Sequence, residues 1–376
     1  MLLTTPEDVR EFCGALAGSP FIAVDTEFQW DRTYFAGLSL VQLASPDRAA
    51  MIDCVAVDDL SPLRPILHDP DCLKIFHSAS QDLAILARVL GAQVVNVYDT
   101  QIADAMLGGP HQMSYAKLVG AYLDIEVDKS SQNTDWLKRP LSEKQLVYAQ
   151  ADVTHLAEIY PMQRRRLADA GRLDWALEDS HWLETHPPME ATDPDTAYQE
   201  IKGWGRLDKR QLGNLMALAR WREIYGREND LRPRWLLADR LLLDFAQRGR
   251  FSSKALAKEQ PWIARRADKL KGLVNEVLER AAETPLEAIP DRRRGSRPTP
   301  LEKELTALAD HIISERAKEL GIEKMILASR ADFTSLVHGL VQRGDIPADT
   351  RLVTGWRKTI IGDTLAAAIL SRRAER

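Results

Sequence analysis

Cysteine is scarce in this chain of 376 residues: Cys13, Cys54 and Cys72 are the only three. An odd count with no Cys-x-x-Cys spacing argues against a disulfide framework and a thiolate zinc site, and it suits a reducing compartment. Long apolar runs are missing as well. None approaches the roughly 18 residues needed to span a bilayer, so no membrane partner is expected. The opening Met1-Leu-Leu-Thr-Thr-Pro-Glu-Asp has neither the basic start nor the apolar core of a signal peptide. The expectation is a soluble, cytoplasmic protein. Nothing else in the bulk composition is unusual, with 45% hydrophobic and 28% charged residues.

Net charge is only −5, but it is unevenly spread. Residues 1–190 hold 15 Lys and Arg against 28 Asp and Glu, whereas residues 191–376 hold 35 against 27. An acidic half joined to a basic half suggests cation coordination in one and attraction of a polyanion in the other.

Two stretches read as linkers: the proline-rich His186–Asp195, and Pro285–Pro300 with its basic run Arg292–Arg294. They divide the chain into domains at 1–190, 205–285 and 298–376. In the first, Phe21–Phe28, Leu38–Ala44, Ala49–Val55, Leu73–His77 and Val94–Tyr98 are short and apolar, as strands are. Helical patterns cover Pro6–Leu16, Ser61–Leu67, Ser80–Leu90, Thr100–Met106, Ser114–Tyr122 and Ser142–Leu167. The first three strands follow closely enough to pair antiparallel, and the later ones are separated by helices, as parallel crossovers require. An α/β fold with a mixed sheet and helices on its faces is predicted. The other two segments carry almost no strand pattern. They read as two all-α bundles of similar length, with helices over Lys209–Tyr225, Arg234–Arg248, Ile263–Ala282, Leu301–Leu320, Asp332–Val341 and Gly355–Leu370.

Five residues of the acidic half stand out. Asp25 and Glu27 close an apolar strand and, being two apart, project to one face. Two carboxylates side by side repel unless a cation binds or one stays protonated. Asp82 falls in the first turn of a helix, just past a strand end, where open sheets form active-site rims. Tyr148 and Asp152 are four apart on a helix and share a face. Each piece alone has an ordinary structural explanation: a solvated strand, a helix N-terminus, an amphipathic helix. Together, four carboxylates suit two divalent ions such as Mg²⁺ or Mn²⁺, which favour oxygen ligands and promote in-line displacement at phosphorus. A tyrosine hydroxyl beside them is placed to orient the attacking water. His77 and His155 lie nearby, but a lone histidine is more often structural.

The order Val24-Asp25-Thr26-Glu27-Phe28, Arg32-Thr33-Tyr34, Leu38-Ser-Leu-Val-Gln42-Leu43, Tyr98-Asp99-Thr100-Gln101, Asp135-Trp136-Leu-Lys-Arg139-Pro140-Leu141-Ser142 and Tyr148-Ala-Gln-Ala-Asp152 resembles the tyrosine-bearing branch of the DEDD exonuclease superfamily. Within that branch it is similar to the ribonuclease D family. The resemblance covers about the first 190 residues and implies a ribonuclease H-like fold. It also implies metal ligands at Asp25, Glu27, Asp82 and Asp152, and a water-orienting tyrosine at Tyr148. Phe35-Ala36-Gly37 and Gln81 depart from the family pattern, which bears on fine substrate contacts rather than on the chemistry.

Lys209–Ala282 resembles the HRDC module (helicase and ribonuclease D C-terminal) through Leu218-Ala-Arg-Trp221-Arg222-Glu223 and Trp235-Leu-Leu-Ala-Asp239. The last segment resembles a divergent second copy, with Leu327-Ala-Ser-Arg330-Ala-Asp332 and Gly355-Trp356-Arg357. Arg265-Arg266, Arg292–Arg294 and Arg372-Arg373 are candidate phosphate contacts. Most of Trp221, Trp235, Trp262 and Trp356 lie in apolar helical patterns, so core packing is expected of them before base stacking. The resemblance thus implies a metal-dependent 3′→5′ exoribonuclease that releases nucleoside 5′-monophosphates and trims the 3′ ends of tRNA precursors. The alternatives are a DNA-directed 3′–5′ exonuclease and a non-catalytic RNA-binding scaffold. The scaffold fits less well, because all four acids are present.

Overall fold

The computed structural model describes residues 1–30, 33–132, 134–186, 191–291, 298–347 and 350–375. Arg32, residues 187–190 of the first proline-rich stretch and the run Arg292–Arg294 lie outside the described residues. The chain forms two compact units. One comprises Met1–Phe28, Leu38–Pro188 and Pro298–Arg376, and the other Gln29–Gly37 and Met189–Arg297.

The first unit is built on a six-stranded sheet in the order β1-β4-β3-β2-β5-β6. Its strands are β1 (Leu2–Leu3), β2 (Phe21–Gln29), β3 (Gly37–Ala44), β4 (Ala49–Asp53), β5 (Leu73–Phe76) and β6 (Val97–Asp99). β3 and β4 pair antiparallel, with Leu40 opposite Asp53. β2 with β5, β5 with β6, and β1 with β4 pair parallel. The mixed α/β sheet expected from the strand spacing is therefore present; the two-residue β1 is an addition that no sequence pattern signalled.

Burial on both faces explains why β2 is apolar without alternation: Ile22, Ala23 and Val24 are all fully buried. Ile22 and Val24 pack with Val9, Leu16, Phe76, Leu83 and Leu86, from the helices Pro6–Leu16 and Ser80–Leu90 and from β5. Ala23 faces the opposite way, into a core with Ile75, Tyr98, Val153 and Leu156. The last two come from the long helix Glu143–Asp169, whose start is fixed by a capping box between Ser142 and Gln145. A further helix, Leu173–Thr185, follows it.

Residues 298–375 are helical, with long helices at Pro300–Leu320, Arg330–His338 and Asp363–Ala374. Their apolar residues Leu305, Ala309, Ile313, Leu336 and Leu365 join the same core as Ala23 and Val153. One polar tie reinforces it. Asp179, on the helix Leu173–Thr185, is paired with Arg357 and Arg351 and accepts a hydrogen bond from the Trp356 indole.

The second unit packs the helices Lys209–Glu228, Asp239–Arg248 and Ala267–Glu283 around Leu215, Leu218, Leu242, Phe245 and Val274. It also holds the segment between β2 and β3. The Tyr34 hydroxyl donates to Glu223 (3.0 Å) and accepts from Arg227 (3.1 Å), and the Tyr34 amide donates to Asp230 (2.9 Å).

The tryptophans divide. Trp356 is buried and stacks on Trp175 with ring centroids 4.6 Å apart, as a core residue should. Trp221 is half-buried. Trp235 and Trp262 are 42% and 57% exposed, which corrects the expectation that they pack inside. The helical pattern over Arg234–Arg248 breaks just after Trp235, and Trp262 precedes the pattern over Ile263–Ala282, which itself starts late. Trp235 sits on the single turn Pro233–Leu236, separate from Asp239–Arg248, and Trp262 sits on the 3-10 turn Pro261–Arg266, ahead of the helix that begins at Ala267. Among the described residues no helix is long and apolar enough to cross a membrane.

Candidate active site

Three elements of the first unit bring the singled-out acids together. β2 carries Asp25 and Glu27 on the face that Ala23 also occupies. The long helix lays Asp152 over that face, and the ligand oxygens of Asp25, Glu27 and Asp152 all lie within 4.8 Å of one another. Asp82 enters from the first turn of the helix Ser80–Leu90, close enough for its charge to act on Glu27 and for that of Asp25 to act on it. Asp82 and Asp152 are 7% and 6% exposed, while Asp25 and Glu27 keep some surface.

Such crowding has an electrostatic cost. Two ionised carboxylates 4.8 Å apart repel by about 3 kcal/mol at an effective dielectric constant near 20. Burial, followed by the charges of Asp25, Asp152 and Asp82, pushes Glu27 up to about 10. Burial alone lifts Asp152 to about 7, against hydrogen bonds from the tyrosines 148 and 115 that favour its ionised form. Asp25 is raised well above its usual range by burial and then by Asp152, and Asp82 by burial and then by Asp25. Among the described residues no lysine or arginine is a leading contributor to any of these four shifts. A divalent cation fits this set: every donor is a carboxylate oxygen, and Asp152 Oδ1 is buried without a hydrogen-bond partner. The described acids thus form a cluster suited to a divalent metal ion.

Tyr148 is half-buried, one helical turn before Asp152. Burial, then the charges of Asp152, Glu27 and Asp25, raise its pKa far above the ordinary tyrosine value, so its hydroxyl keeps its proton. It borders an open cleft of about 360 Å³ that is also lined by Val147, Ala151 and His155.

Several supporting residues carry roles that the sequence reading did not assign. The Thr26 hydroxyl donates to Asp82 Oδ1 and so fixes the acid that comes from another element. Asp99 caps the helix Thr100–Met106 and also accepts the amides of Ser78 (3.1 Å) and Ala79 (2.8 Å), which shapes the turn leading to Asp82. The Tyr115 hydroxyl donates to the main-chain oxygens of residues 151 and 152, and lies 3.2 Å from His155 Nδ1. Arg139 grips Asp53 through two bonds of 2.7 and 2.6 Å and anchors the segment ahead of the Tyr148 helix onto β4. Gln42 is fully buried with neither amide atom bonded. The available signals were an aspartate before a helix start, a threonine inside the acidic strand motif, and a glutamine in an otherwise apolar strand.

His77 is held by Thr100 and the Met113 carbonyl, and burial lowers its pKa, so it is a structural residue here. Of the basic clusters, Arg265 and Arg266 are exposed. Arg372 instead pairs with Glu304 and Glu375, and Arg373 donates to the Leu340 carbonyl.

Residues 2–168 match a family model described as a 3′-5′ exonuclease. The chain is 34% identical over 372 residues to Ribonuclease D of Gluconacetobacter diazotrophicus, covering 98% of this chain and 92% of that one. It is 33% identical over 372 residues to Ribonuclease D of Granulibacter bethesdensis, covering 97% and 91%. Among solved structures, Escherichia coli RNase D, described as an exoribonuclease involved in structured RNA processing, superposes with a TM-score of 0.88. That match has 29% identity and covers 99% of this chain and 98% of the other.

Proposed function

Because the chain belongs to the ribonuclease D family of 3′–5′ exoribonucleases, we propose that it removes nucleoside 5′-monophosphates one at a time from the 3′ ends of structured RNAs, tRNA precursors with 3′ extensions foremost. Asp25, Glu27, Asp82 and Asp152 hold the two divalent ions, Mg²⁺ or Mn²⁺, and Tyr148 positions the attacking water. The observation that carries this reading is the crowding of Asp25, Glu27 and Asp152 with one carboxylate oxygen of Asp152 buried and unbonded.

Divalent ions bound there supply the positive charge that acidifies a coordinated water and offsets the charge on the phosphoryl oxygens. The protein's own contributions are separable. β2 presents two ligands on one face, and the two helices bring the others to it from different directions. Thr26 holds Asp82 in orientation. Tyr148 keeps its proton and therefore directs a water by hydrogen bonding rather than by acting as a base. The cleft beside it leaves room for a strand end next to the acids. We propose further that the chain is organised in modules at 1–190, 205–285 and 298–376, with the two HRDC-like segments serving RNA capture.

The test is digestion of a tRNA bearing extra 3′ nucleotides and labelled at its 5′ end, alongside a DNA strand of the same sequence. Stepwise shortening from the 3′ end, 5′-monophosphate products, dependence on Mg²⁺ or Mn²⁺ and arrest by EDTA are expected. Internal cuts, 3′-phosphate products or a preference for the DNA strand would overturn the proposal.

A further inference from the structure

The second unit exposes two tryptophans for which core packing was expected. Trp235 and Trp262 lie with ring centroids 6.1 Å apart and planes inclined at 57°. With Arg232 and Arg234 they border an open cleft of about 570 Å³. Arg265 and Arg266 stand exposed three and four residues beyond Trp262, in the turn Pro261–Arg266 and at its end. Arg232 forms no ion pair among the described residues, and Arg234 shares Asp239 with the buried Arg222. The patch is therefore aromatic at its centre and positively charged around it.

Its geometry is held from below. Gln260 is 1% exposed, and its side-chain amide donates to the carbonyls of Arg234 and Trp235, both at 3.2 Å. Its oxygen accepts the Ala238 amide at 2.8 Å. Because Gln260 directly precedes the Trp262 turn, this one buried side chain fixes the two tryptophan-bearing turns to each other. The two tryptophan-bearing turns are thus set in place before anything binds, which lowers the ordering cost of binding.

An exposed aromatic pair among arginines has the chemistry of a site for unpaired nucleotides. Base faces stack on indole with about 1–3 kcal/mol per base and little sequence preference, and guanidinium groups take the phosphates. We propose that Trp235 and Trp262, flanked by Arg232, Arg234 and Arg265, form an RNA-binding site that stacks unpaired bases and grips the adjoining backbone. The site lies in the second unit, whereas the acidic cluster lies in the first. It depends on the exonuclease reading only in that the chain handles RNA.

The test uses the full chain in EDTA, so that binding is read without hydrolysis. A short fluorescein-labelled oligoadenylate is titrated at several salt concentrations and followed by anisotropy. Trp235→Ala and Trp262→Ala should each weaken binding by about tenfold, the equivalent of 1.4 kcal/mol, while Trp262→Phe should keep most of the affinity. Arg232→Gln should reduce the slope of log Kd against log salt by about 0.7, as the loss of one phosphate contact to a single strand requires. Circular dichroism of the variants separates lost stacking from lost folding. Alanine variants that bind within twofold of the parent would overturn the proposal and leave this face to a protein partner. A chain that binds in this tryptophan-dependent way yet fails to digest RNA with metal would instead refute the exonuclease reading and leave this site standing.

Discussion

Replacing Asp179 by alanine tests what joins residues 298–375 to the catalytic fold. The carboxylate is 6% exposed and receives two bonds from Arg357, at 2.5 and 2.7 Å, one from the Trp356 indole at 3.0 Å, and the Arg351 guanidinium at 2.6 Å. Burial acts to raise its pKa, but the bonds and charges of Arg357 and then the charge of Arg351 outweigh it and hold the carboxyl below its usual range. Arg357 is itself buried and spends its remaining donors on the carbonyls of Ile326 and Leu327. Deleting Asp179 leaves that guanidinium buried and uncompensated, a loss of about 3–5 kcal/mol. Asp179→Asn keeps the shape and loses the charge, so about 1.5–3 kcal/mol is expected from the weakened charge-assisted bonds. Urea unfolding followed by tryptophan fluorescence is a suitable assay, because Trp175 and Trp356 stack beside the carboxylate. The low pKa also predicts that the stabilisation is complete above the ordinary aspartate range and is lost as pH falls below it. If Asp179→Ala shifted the unfolding transition of the first unit by under about 1 kcal/mol, or if its effect added simply to that of Arg357→Ala, the ion pair would not be the tie described here.

Three further outcomes are expected. Asp25→Asn and Asp152→Asn should each lower Mn²⁺-supported RNA digestion by at least about 100-fold, since losing a ligand should cost no less than losing a residue that orients one; calorimetric titration should show weakened metal binding, and near-normal rates would exclude these acids as ligands. Tyr148→Phe should cut kcat by about 100-fold, the cost of misplacing a reacting group by about 1 Å, with metal affinity intact; a parallel loss of metal binding would make its role structural. In EDTA the melting temperature should fall as pH rises from about 5 towards 8, because Glu27 and Asp152, raised to about 10 and about 7, bind protons in the folded state that the unfolded chain has already lost. Added Mg²⁺ or Mn²⁺ should reverse that trend by binding the deprotonated acids, and a metal-free melting temperature that is flat or rising with pH would refute the assignment.

Much of the catalytic fold could be read from the chain because its signals are local. The helices Pro6–Leu16, Ser80–Leu90 and Thr100–Met106 occupy the residues their periodicity marks, and β2 overruns its apolar pattern by one residue. Other elements depend on distant partners. β1 is only two residues long and exists because β4 offers it a parallel edge. Trp235 falls within a continuous helical period over Arg234–Arg248 and Trp262 just ahead of the one over Ile263–Ala282, so apolar pattern alone assigns both to the interior. The breaks that expose them follow from Pro233 and Pro261 opening short turns, and from Gln260 bonding across to those turns.

Residue spacing on one strand and one helix was sufficient to pair Asp25 with Glu27 and Tyr148 with Asp152, since side-chain direction repeats every two residues in a strand and about every four in a helix. Sequence order likewise indicated a mixed sheet, an acidic half for metal and a basic half beyond it. Only the tertiary structure decided which faces meet. It set three carboxylates within 4.8 Å of one another, left Asp152 Oδ1 without a partner, and tied the final helical segment through Asp179 and a shared core to the first unit. It also placed Tyr34 with Glu223 and Arg227 in the second unit. Those pairings join residues far apart along the chain, and packing and the burial of charge settle them, neither of which has a period that a sequence can display.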